Sequence, residues 1–350
     1  MARVLVGMSG GVDSSVAALL LREQGHEVVG ATLRLGIAEL HGRQCCGEEA
    51  SLEARRVASA LGIQHVTIDV AARFASAVVE PFVDDYACGR TPNPCVVCNE
   101  RVKFAALLER ADALGCDRVA TGHYARVIEG SDGLPLVARG ADAGKDQSYF
   151  LYRLGPLTLS RVLFPLGGMT KDEVRRVATQ AGLPVADREE SQEICFAHDY
   201  VALVARMRPD ALAPGPIETQ EGLVVGEHGG IARYTVGQRK GIGIGGPGGP
   251  RRVVSIDAQR NAVVVGGRDA LLARRLVLSD PVWRSAESTL RVSAVMRYRA
   301  RPVSCEARFD GKRIAVELAA AHETTAPGQS VVLYDGDAVV GGGVLERWEP

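Results

Sequence analysis

The sequence predicts an α/β fold: a doubly wound parallel sheet followed by two smaller β-rich domains, the last of them a β-barrel. Strand and helix signals alternate through the first third of the chain, which favours a parallel sheet with helices on both faces. After about residue 200 the pattern changes to short β-type runs separated by turn residues. A length of 350 residues allows about two to three domains, and we expect them at 1–200, 201–268 and 269–350.

The elements of the first domain follow from apolar runs and their boundaries. Such runs predict strands at 4–6, 28–33, 65–70 and 118–121. Glycines that favour helix termination follow the predicted helices, which lie at about 14–24, 48–61 and 99–114. Thr170 and Glu173 form a capping-box signature at the start of one more helix, which should end near Ala181.

The second half of the chain contains short β-type runs at 224–225, 253–256, 263–265, 276–278, 290–295 and 331–333. Asp310-Gly311 and Asp335-Gly336 are candidate hairpin turns between such runs. The segment 241–250 is rich in glycine and proline, and its composition fits either a loop or a linker. The pattern indicates a small β-rich domain followed by a barrel.

Composition argues against a membrane or exported protein. The longest apolar run, at 16–21, is far too short to span a bilayer, and the first residues do not resemble a secretory signal. We therefore expect a cytoplasmic protein with no membrane partner. The net charge is only −1, yet residues 231–313 contain 17 basic and 6 acidic residues, a local net charge of +11. This asymmetry predicts a polyanionic partner, although a basic surface without a partner is also possible.

The cysteines indicate metal or redox chemistry more than a disulfide framework, because we expect a reducing compartment. The eight are Cys45, Cys46, Cys88, Cys95, Cys98, Cys116, Cys195 and Cys305. Cys95 and Cys98 form a Cys-x-x-Cys pair. Because Cys98 directly precedes the helix predicted from residue 99, and basic residues lie nearby, we expect its thiol pKa to be lowered. The alternative for Cys98 is a buried apolar side chain.

The segment Ser9-Gly10-Gly11-Val12-Asp13-Ser14 follows a predicted strand and opens a helix. Two glycines allow a tight turn whose N–H groups face an anion, and the helix N-terminus favours negative charge. The serine hydroxyls of the segment and of Ser15 add donors. It lacks the Gly-Lys-Ser/Thr of the common P-loop and the third glycine of the dinucleotide fingerprint. The segment therefore predicts a phosphate-binding loop of another kind.

This loop resembles the PP-loop of the ATP pyrophosphatases, whose fold is similar to that of the adenine nucleotide hydrolases. Further segments resemble those of the tRNA-specific 2-thiouridylases, and together they span nearly the whole chain. These segments are 89–99 (GRTPNPCVVCN), 120–124 (ATGHY), 145–151 (KDQSYFL), 194–196 (ICF), 235–241 (TVGQRKG) and 327–330 (PGQS).

The resemblance implies an ATP-dependent tRNA-uridine 2-sulfurtransferase that acts on the wobble uridine. It implies adenylation of the uracil 2-oxygen, which is a poor leaving group, and then sulfur transfer from a cysteine persulfide. The implied cofactors are ATP and Mg²⁺. The implied partners are tRNA and either a sulfur-carrier protein or a cysteine desulfurase, and the oligomeric state is not predicted.

The resemblance also implies binding residues. The residues expected to bind ATP are Gly7, Met8, Ser9, Gly10, Gly11, Val12, Asp13, Ser14, Leu33 and Gly122. The residues expected to bind tRNA are Asn93, Pro94, Cys95, His123, Lys145, Asp146, Gln147, Arg297, Tyr298 and Gln329. Leu33 stands where the family usually has methionine, and an apolar side chain suits adenine. Tyr298 has two equal interpretations, a base-stacking residue and an ordinary strand tyrosine.

For sulfur transfer the resemblance implies Cys195 as the persulfide carrier and Cys98 as the nucleophile, with a disulfide between them as an intermediate. Cys95 stands where many relatives carry an aspartate that would act as general acid or base, and other relatives carry cysteine. Two alternatives remain open. Cys95, Cys98 and Cys195 could hold an iron–sulfur cluster, or Cys95 and Cys98 could bind zinc with Cys45 and Cys46.

Two other function classes remain to be weighed. A PP-loop ligase for a small molecule would need neither the basic segment nor the paired cysteines. A metal- or cluster-binding RNA-binding protein without turnover would not need an intact phosphate loop.

Overall fold

The computed structural model describes residues 1–36, 48–186, 195–197, 199–244 and 251–350. The chain divides into two compact units. The first comprises 1–78, 95–198 and 337–339, and the second comprises 79–94, 199–336 and 340–350. The three-domain division expected from the sequence stays a prediction.

The core of the first unit is a parallel sheet with the strand order β3-β2-β1-β4-β7. Its strands are β1 (Arg3–Gly7), β2 (Glu27–Arg34), β3 (Gln64–Asp69), β4 (Arg118–Thr121) and β7 (Val162–Leu163). The order reverses between β1 and β4, which confirms the doubly wound prediction. Gly7 pairs with Ala31 on one side and with Thr121 on the other, so these strands end together. In open α/β sheets this reversal marks the ligand-binding crevice.

Helices of the first unit cover the sheet. The α-helices of the described residues are α1 (Val12–Glu23), α2 (Glu48–Ala60), α3 (Ala71–Phe74), α4 (Glu80–Ala87), α5 (Pro94–Val97), α6 (Phe104–Ala113), α7 (Pro156–Leu159), α8 (Lys171–Gln180) and α9 (Tyr200–Met207). Val4 and Val6 share a core cluster with side chains of α1, α2 and α8. Because strand side chains alternate, Gly7 faces the other side, where Leu107 of α6 packs against it. Coverage of both faces explains why β1 is a continuous apolar run.

The predicted strands and helices of the first domain are confirmed, with one important correction. The capping box is present: the Thr170 hydroxyl accepts a hydrogen bond from the Glu173 N–H, and the Glu173 carboxylate accepts one from the Thr170 N–H. The helix predicted from residue 99 instead begins at Pro94. It continues as a π-helical turn over Cys98–Lys103 before α6. Cys98 therefore lies inside a helical segment and not in front of one.

The first unit also contains a hairpin that was not predicted from the sequence. It consists of β5 (Ala125–Glu129) and β6 (Pro135–Arg139), which are antiparallel, with Ala125 opposite Arg139. Gly133 adopts a left-handed conformation in the turn, so the Asp132-Gly133 pair was the signal for it. Ala138 pairs with Ala338, which belongs to the same unit.

The second unit contains α4, α9 and two β-structures, a mixed sheet and an antiparallel barrel. The first is a four-stranded sheet ordered β10-β11-β8-β9, with strands β8 (Gly215–Thr219), β9 (Val224–His228), β10 (Arg252–Asp257) and β11 (Ala262–Gly266). Its apolar core includes Ile217, Val253 and Val263. Residues 245–250 of the glycine- and proline-rich segment lie outside the described residues.

The second β-structure is a six-stranded barrel ordered β12-β15-β14-β13-β16-β17, closed by pairing of β12 with β17. Its strands are β12 (Leu272–Trp283), β13 (Thr289–Val295), β14 (Val303–Phe309), β15 (Ile314–Glu323), β16 (Ser330–Asp335) and β17 (Ala338–Glu349). Asp310-Gly311 joins β14 to β15, and Asp335-Gly336 joins β16 to β17, which confirms both predicted turns and the barrel. Within the described part of the chain, no helix is long and apolar enough to cross a membrane.

Candidate functional site

The phosphate-binding loop lies at the carboxyl end of β1, at the point where the strand order of the sheet reverses. Gly11 is the N-cap of α1 and offers no side chain to the first-turn N–H groups, which have no partners inside the helix. Gly10 has φ +71°, and a Cβ there would lie 2.5 Å from the Ala50 carbonyl oxygen. The loop therefore requires glycine at this position, and it presents backbone donors to an anion.

The serines of the loop stabilise its shape. The Ser14 hydroxyl accepts a hydrogen bond from the Ser9 N–H at 3.1 Å and donates to the Gly11 carbonyl at 3.1 Å. The Ser15 hydroxyl donates to the same carbonyl at 2.8 Å. Ser14 and Ser15 are buried, whereas Ser9 is exposed. Of the three hydroxyls expected to contact phosphate, two thus donate to the loop's own backbone in this structure.

Asp13 joins three parts of the first unit. Its Oδ1 accepts one hydrogen bond from the Tyr124 hydroxyl and one from the Lys171 ammonium, each at 2.7 Å. Lys171 is only 7% exposed, and its Nζ lies 5.9 Å from the centre of the Tyr124 ring. Neither partner was predicted from the sequence as a site residue. Tyr124 ends the recognised ATGHY segment, so it could have been predicted as a site residue. The sequence contains no local signal that pairs Lys171 with Asp13.

The remaining residues expected to bind ATP line or support the same region. A Cβ on Gly122 would lie 2.7 Å from the carbonyl carbon of Asp13 and from the Ser14 nitrogen, so this glycine allows β4 to approach the loop. Met8 and Leu33 are both buried. Their expected contact with the nucleotide stays a prediction.

The segment 145–147 is connected to Tyr124 by hydrogen bonds. The Gln147 side chain accepts from the Tyr124 N–H at 3.0 Å, and the Gln147 N–H donates to the Tyr124 carbonyl at 2.9 Å. The Asp146 carboxylate accepts from two backbone N–H groups and the Ser148 hydroxyl, and it forms an ion pair with Arg139. Lys145 is half-buried. These contacts organise the segment, and its expected contact with tRNA stays a prediction.

His123 is buried beside the helical segment that carries Cys98. Its Nδ1 lies 2.7 Å from the Thr121 hydroxyl, and its Nε2 lies 3.4 Å from the Lys103 ammonium. Its ring stacks on Phe104 with centroids 5.9 Å apart. Burial, with a smaller contribution from Lys103, holds the pKa of His123 well below its ordinary value. The imidazole is therefore neutral at pH 7, and the expected contact of His123 with tRNA stays a prediction.

Cys98 does not have the lowered pKa expected from the sequence. Burial raises the pKa of its thiol, and the charge of Lys103 opposes this only in part. Besides this burial, Cys98 lacks the helix position that the expectation assumed. Because the helical segment begins at Pro94, Cys98 does not occupy a helix N-terminus. The expectation of a stabilised thiolate is therefore wrong for the protein without substrates.

Cys195 and Cys95 differ in exposure. Cys95 is exposed and Cys195 is half-buried next to Phe196, whose ring packs edge-on against Phe74. Cys98 and Cys195 are both present as thiols, so a disulfide between them stays a prediction. Ile194, Cys45 and Cys46 lie outside the described residues, and so does the zinc alternative that uses the latter two.

The described residues do not favour the iron–sulfur alternative. Among the residues that are described, no three His, Cys, Asp or Glu side chains are arranged to hold a metal ion. Cys95, Cys98 and Cys195 are all among those residues.

In the second unit, two recognised segments contact each other. The Gln329 side-chain amide donates to the carbonyls of Thr91 and Pro92, at 3.0 Å each. The Thr91 N–H donates to the Pro327 carbonyl at 2.8 Å. Asn93 is half-buried and Pro94 is buried. Gln329 therefore orders the loop that leads to Cys95, and its expected contact with tRNA stays a prediction.

The basic segment is partly neutralised by carboxylates that lie outside it in sequence. Arg260 forms a two-pronged ion pair with Glu218 at 2.8 and 2.9 Å, and Arg313 pairs with Glu346 at 2.7 Å. The charge of +11 counted along the sequence thus overstates the charge available to a partner.

The turn between β13 and β14 is different. Its arginines are exposed, and none of them forms an ion pair with a carboxylate of the described residues; they are Arg297, Arg299 and Arg301. The Arg299 guanidinium lies 5.1 Å from the centre of the Tyr298 ring.

Comparison with known families accounts for most of the chain. Residues 2–199 match the family described as tRNA methyl transferase HUP domain. Residues 203–267 match the tRNA methyl transferase PRC-barrel domain, and residues 273–345 match the aminomethyltransferase beta-barrel domain.

Proteins with a named activity are similar to this chain over nearly its full length. The chain is 47% identical to the tRNA-specific 2-thiouridylase MnmA of Geobacter metallireducens, over 98% of this chain and 96% of that protein. It is also 47% identical to the protein of that name from Chloroflexus aurantiacus, over 100% and 99% of the two chains. A likeness to the solved U34-tRNA thiolase NcsA from Methanococcus maripaludis with its [4Fe-4S] cluster covers 60% of this chain and 65% of that one. At 18% identity and a TM-score of 0.37, that likeness is too distant to bear on the cluster alternative.

Proposed function

The chain belongs to the tRNA-specific 2-thiouridylase family, and from that premise we propose that it replaces the 2-oxygen of the wobble uridine of tRNA with sulfur. The observation that carries the proposal is the Ser9–Ser14 loop at the reversal point of the sheet, with an uncapped helix N-terminus behind it. A site of this kind binds the phosphates of ATP. ATP is the reagent that a uracil oxygen needs in order to become a leaving group.

The first step is adenylation. The uracil 2-oxygen attacks the α-phosphorus of ATP, the bond between that phosphorus and the oxygen bridging to the β-phosphorus breaks, and pyrophosphate leaves with the electron pair. The loop fits ATP, because Gly10 admits the turn and the first-turn N–H groups of α1 face the anion. Mg²⁺ would accompany ATP and screen its phosphates, and hard oxygen ligands from phosphate and water suit it.

The second step transfers sulfur. The terminal sulfur of a persulfide on Cys195 attacks C2 of the activated uracil, and AMP leaves. Cys98 then attacks the Cys195 sulfur, which forms a Cys98–Cys195 disulfide and releases the thiolated uridine. A dithiol reductant restores both thiols. The persulfide comes from a sulfur-carrier protein or a cysteine desulfurase, and these reactions take place in the cytoplasm.

The proposed tRNA surface includes the exposed Arg297 turn in the second unit. Arg297 and its neighbours would contact phosphates, and the target base must leave its stack to react. Cys95 is exposed in the segment where relatives carry aspartate or cysteine. We propose that it contacts the base without carrying sulfur.

The test is formation of 2-thiouridine. Unthiolated tRNA with a wobble uridine is incubated with the enzyme, ATP, Mg²⁺, cysteine and a cysteine desulfurase, and its nucleosides are analysed by mass spectrometry. We expect 2-thiouridine only when ATP is present, and none in a tRNA that carries cytidine at the wobble position. AMP formation that needs no tRNA would instead favour a small-molecule ligase. Thiolation without ATP would contradict the proposal.

A further inference from the structure

We propose that Lys171 is a catalytic residue of the adenylation step, whose ammonium neutralises the pyrophosphate that leaves ATP. The inference rests on the proposed function, and it concerns a residue that lies 158 positions after Asp13 in sequence. Lys171 Nζ is 2.7 Å from Asp13 Oδ1, and Asp13 is the second residue of α1, in the first turn of the helix whose N-terminus is proposed to bind the phosphates. The ammonium is thus located at the anion-binding end of the loop.

The position of Lys171 is unfavourable for folding, which indicates another purpose. It is the first residue of α8, where the helix dipole disfavours a positive charge, and the capping box already satisfies this helix end. It is also almost fully buried, and removing an ammonium from water costs free energy that its partners must offset. Residues that conflict with the helix dipole and with burial preferences in this way occur mainly at functional sites.

Residue type supports the same conclusion. Only five of the 41 basic residues of the chain are lysine, so arginine is the usual cation of this protein. A compact ammonium on a flexible stem can move from a carboxylate to a phosphate oxygen, whereas a planar guanidinium is tied to a two-pronged geometry. Asp13 and the Tyr124 ring hold this ammonium in place before ATP binds. We therefore assign Asp13 and Tyr124 as positioning residues.

Adenylation requires a positive charge near the leaving pyrophosphate at the moment when the bond to the α-phosphorus breaks. When the bond between the α-phosphorus and the bridging oxygen breaks, the electron pair remains on the pyrophosphate oxygen, and negative charge builds up there. The Lys171 ammonium stabilises this charge without transferring a proton. A preorganised donor of this kind typically accounts for about 10²- to 10³-fold in rate.

The experiment compares four variants with the wild-type enzyme in single-turnover formation of AMP in the presence of tRNA. We expect K171M to slow AMP formation by about 10²- to 10³-fold and K171R to recover part of the loss. D13N/K171M removes both charges and keeps similar shapes, so it should fold but stay slow. R176Q, which removes an exposed charge from the same helix, should keep the wild-type rate.

Product affinity separates a catalytic charge from a structural ion pair. Inhibition by pyrophosphate should weaken at least about tenfold in K171M, while inhibition by AMP should stay unchanged. If K171M does not fold, D13N/K171M carries the same expectations. A wild-type rate in D13N/K171M, or equal loss of pyrophosphate and AMP affinity, would overturn the assignment. Failure of the wild-type enzyme to form AMP with tRNA would instead overturn the proposed function.

Discussion

Two regions of the molecule differ in how far they are prepared for reaction. They are the phosphate loop and the helical segment 94–103, which contains Cys95 and Cys98. In the loop, backbone donors and the Lys171 ammonium are already in place for negative charge. In the helical segment, burial raises the pKa of Cys98 and lowers that of His123, so both groups are neutral at pH 7. The proposed adenylation site is therefore preorganised, whereas Cys98, the proposed nucleophile for sulfur transfer, is a thiol.

This difference has a chemical consequence. A reactive thiolate at Cys98 would attack a persulfide before any uridine was activated, and the sulfur would be lost. The raised thiol pKa of Cys98 disfavours this reaction.

The largest expected effect separates the two steps completely. Cys98→Ser and Cys195→Ser should each reduce 2-thiouridine formation by more than about 10³-fold, because the sulfur route lacks one of its two thiols. AMP formation in the presence of tRNA should remain within about threefold of wild type. Both products are measured in one reaction by nucleoside and nucleotide analysis.

The control for these variants is Cys88→Ser, since Cys88 is exposed and lies in no recognised segment. It should change neither product. Full thiolation by Cys195→Ser would show that sulfur travels by another route, and the two-step comparison would fail.

The second effect tests the shape of the loop. Gly10→Ala should weaken ATP binding by about 10²-fold, because the new Cβ meets a backbone carbonyl and the left-handed conformation is strained. Gly62→Ala is the matched control. Gly62 has a similar φ of +64°, but nothing lies within 4 Å of its Cβ position.

Gly62→Ala should therefore lose about 1 kcal/mol of stability and keep its ATP affinity. Equal ATP affinities for the two variants, measured by calorimetry, would show that the close approach of the loop to Ala50 does not matter.

The third effect concerns the pH dependence of Cys98. Because its thiol pKa is raised, the thiolate is scarce at pH 7 and increases as the pH rises through that higher value. Alkylation of Cys98 by iodoacetamide, followed by mass spectrometry in a Cys95→Ser background, should be slower at pH 7 than that of free cysteine. Lys103→Met should slow it further. A rate that is already constant below about pH 8 would contradict the protonated nucleophile.

The smallest effect tests which basic residues serve the tRNA. Arg297→Gln should weaken tRNA binding by about three- to tenfold and reduce the salt dependence by about one counterion. Arg260→Gln should leave tRNA affinity unchanged and lower the free energy of unfolding by about 1–3 kcal/mol, because it leaves the buried Glu218 carboxylate without its partner. Affinity at several salt concentrations and thermal unfolding measure both. If the two variants weakened tRNA binding equally, the net charge counted along the sequence would predict the tRNA surface better than the ion pairs in the structure do.

Local signals account for what could be predicted. Apolar runs, terminating glycines and the capping box located most elements of the sheet domain, and the glycine pair located the loop. The start of the helix at Pro94 was also within reach, because proline favours the first position of a helix. The wrong pKa direction for Cys98 came from overlooking this start and from the burial of the thiol, which no local pattern indicated.

Contacts between distant segments could not be predicted from local signals. Lys171 contacts Asp13 only because α8 packs beside α1, and no sequence pattern near either residue predicts this ion pair. The same holds for the arginines of the basic segment, whose carboxylate partners come from other strands. Charge counted along a sequence does not reveal such pairing.

The most direct test of the central claim follows one oxygen atom. A tRNA with ¹⁸O at the 2-position of its wobble uridine is thiolated with unlabelled ATP, and the AMP is analysed by mass spectrometry. If the loop activates that oxygen by adenylation, the AMP should carry one ¹⁸O in its phosphate for each thiouridine formed. Unlabelled AMP, or ADP as the product, would contradict the account.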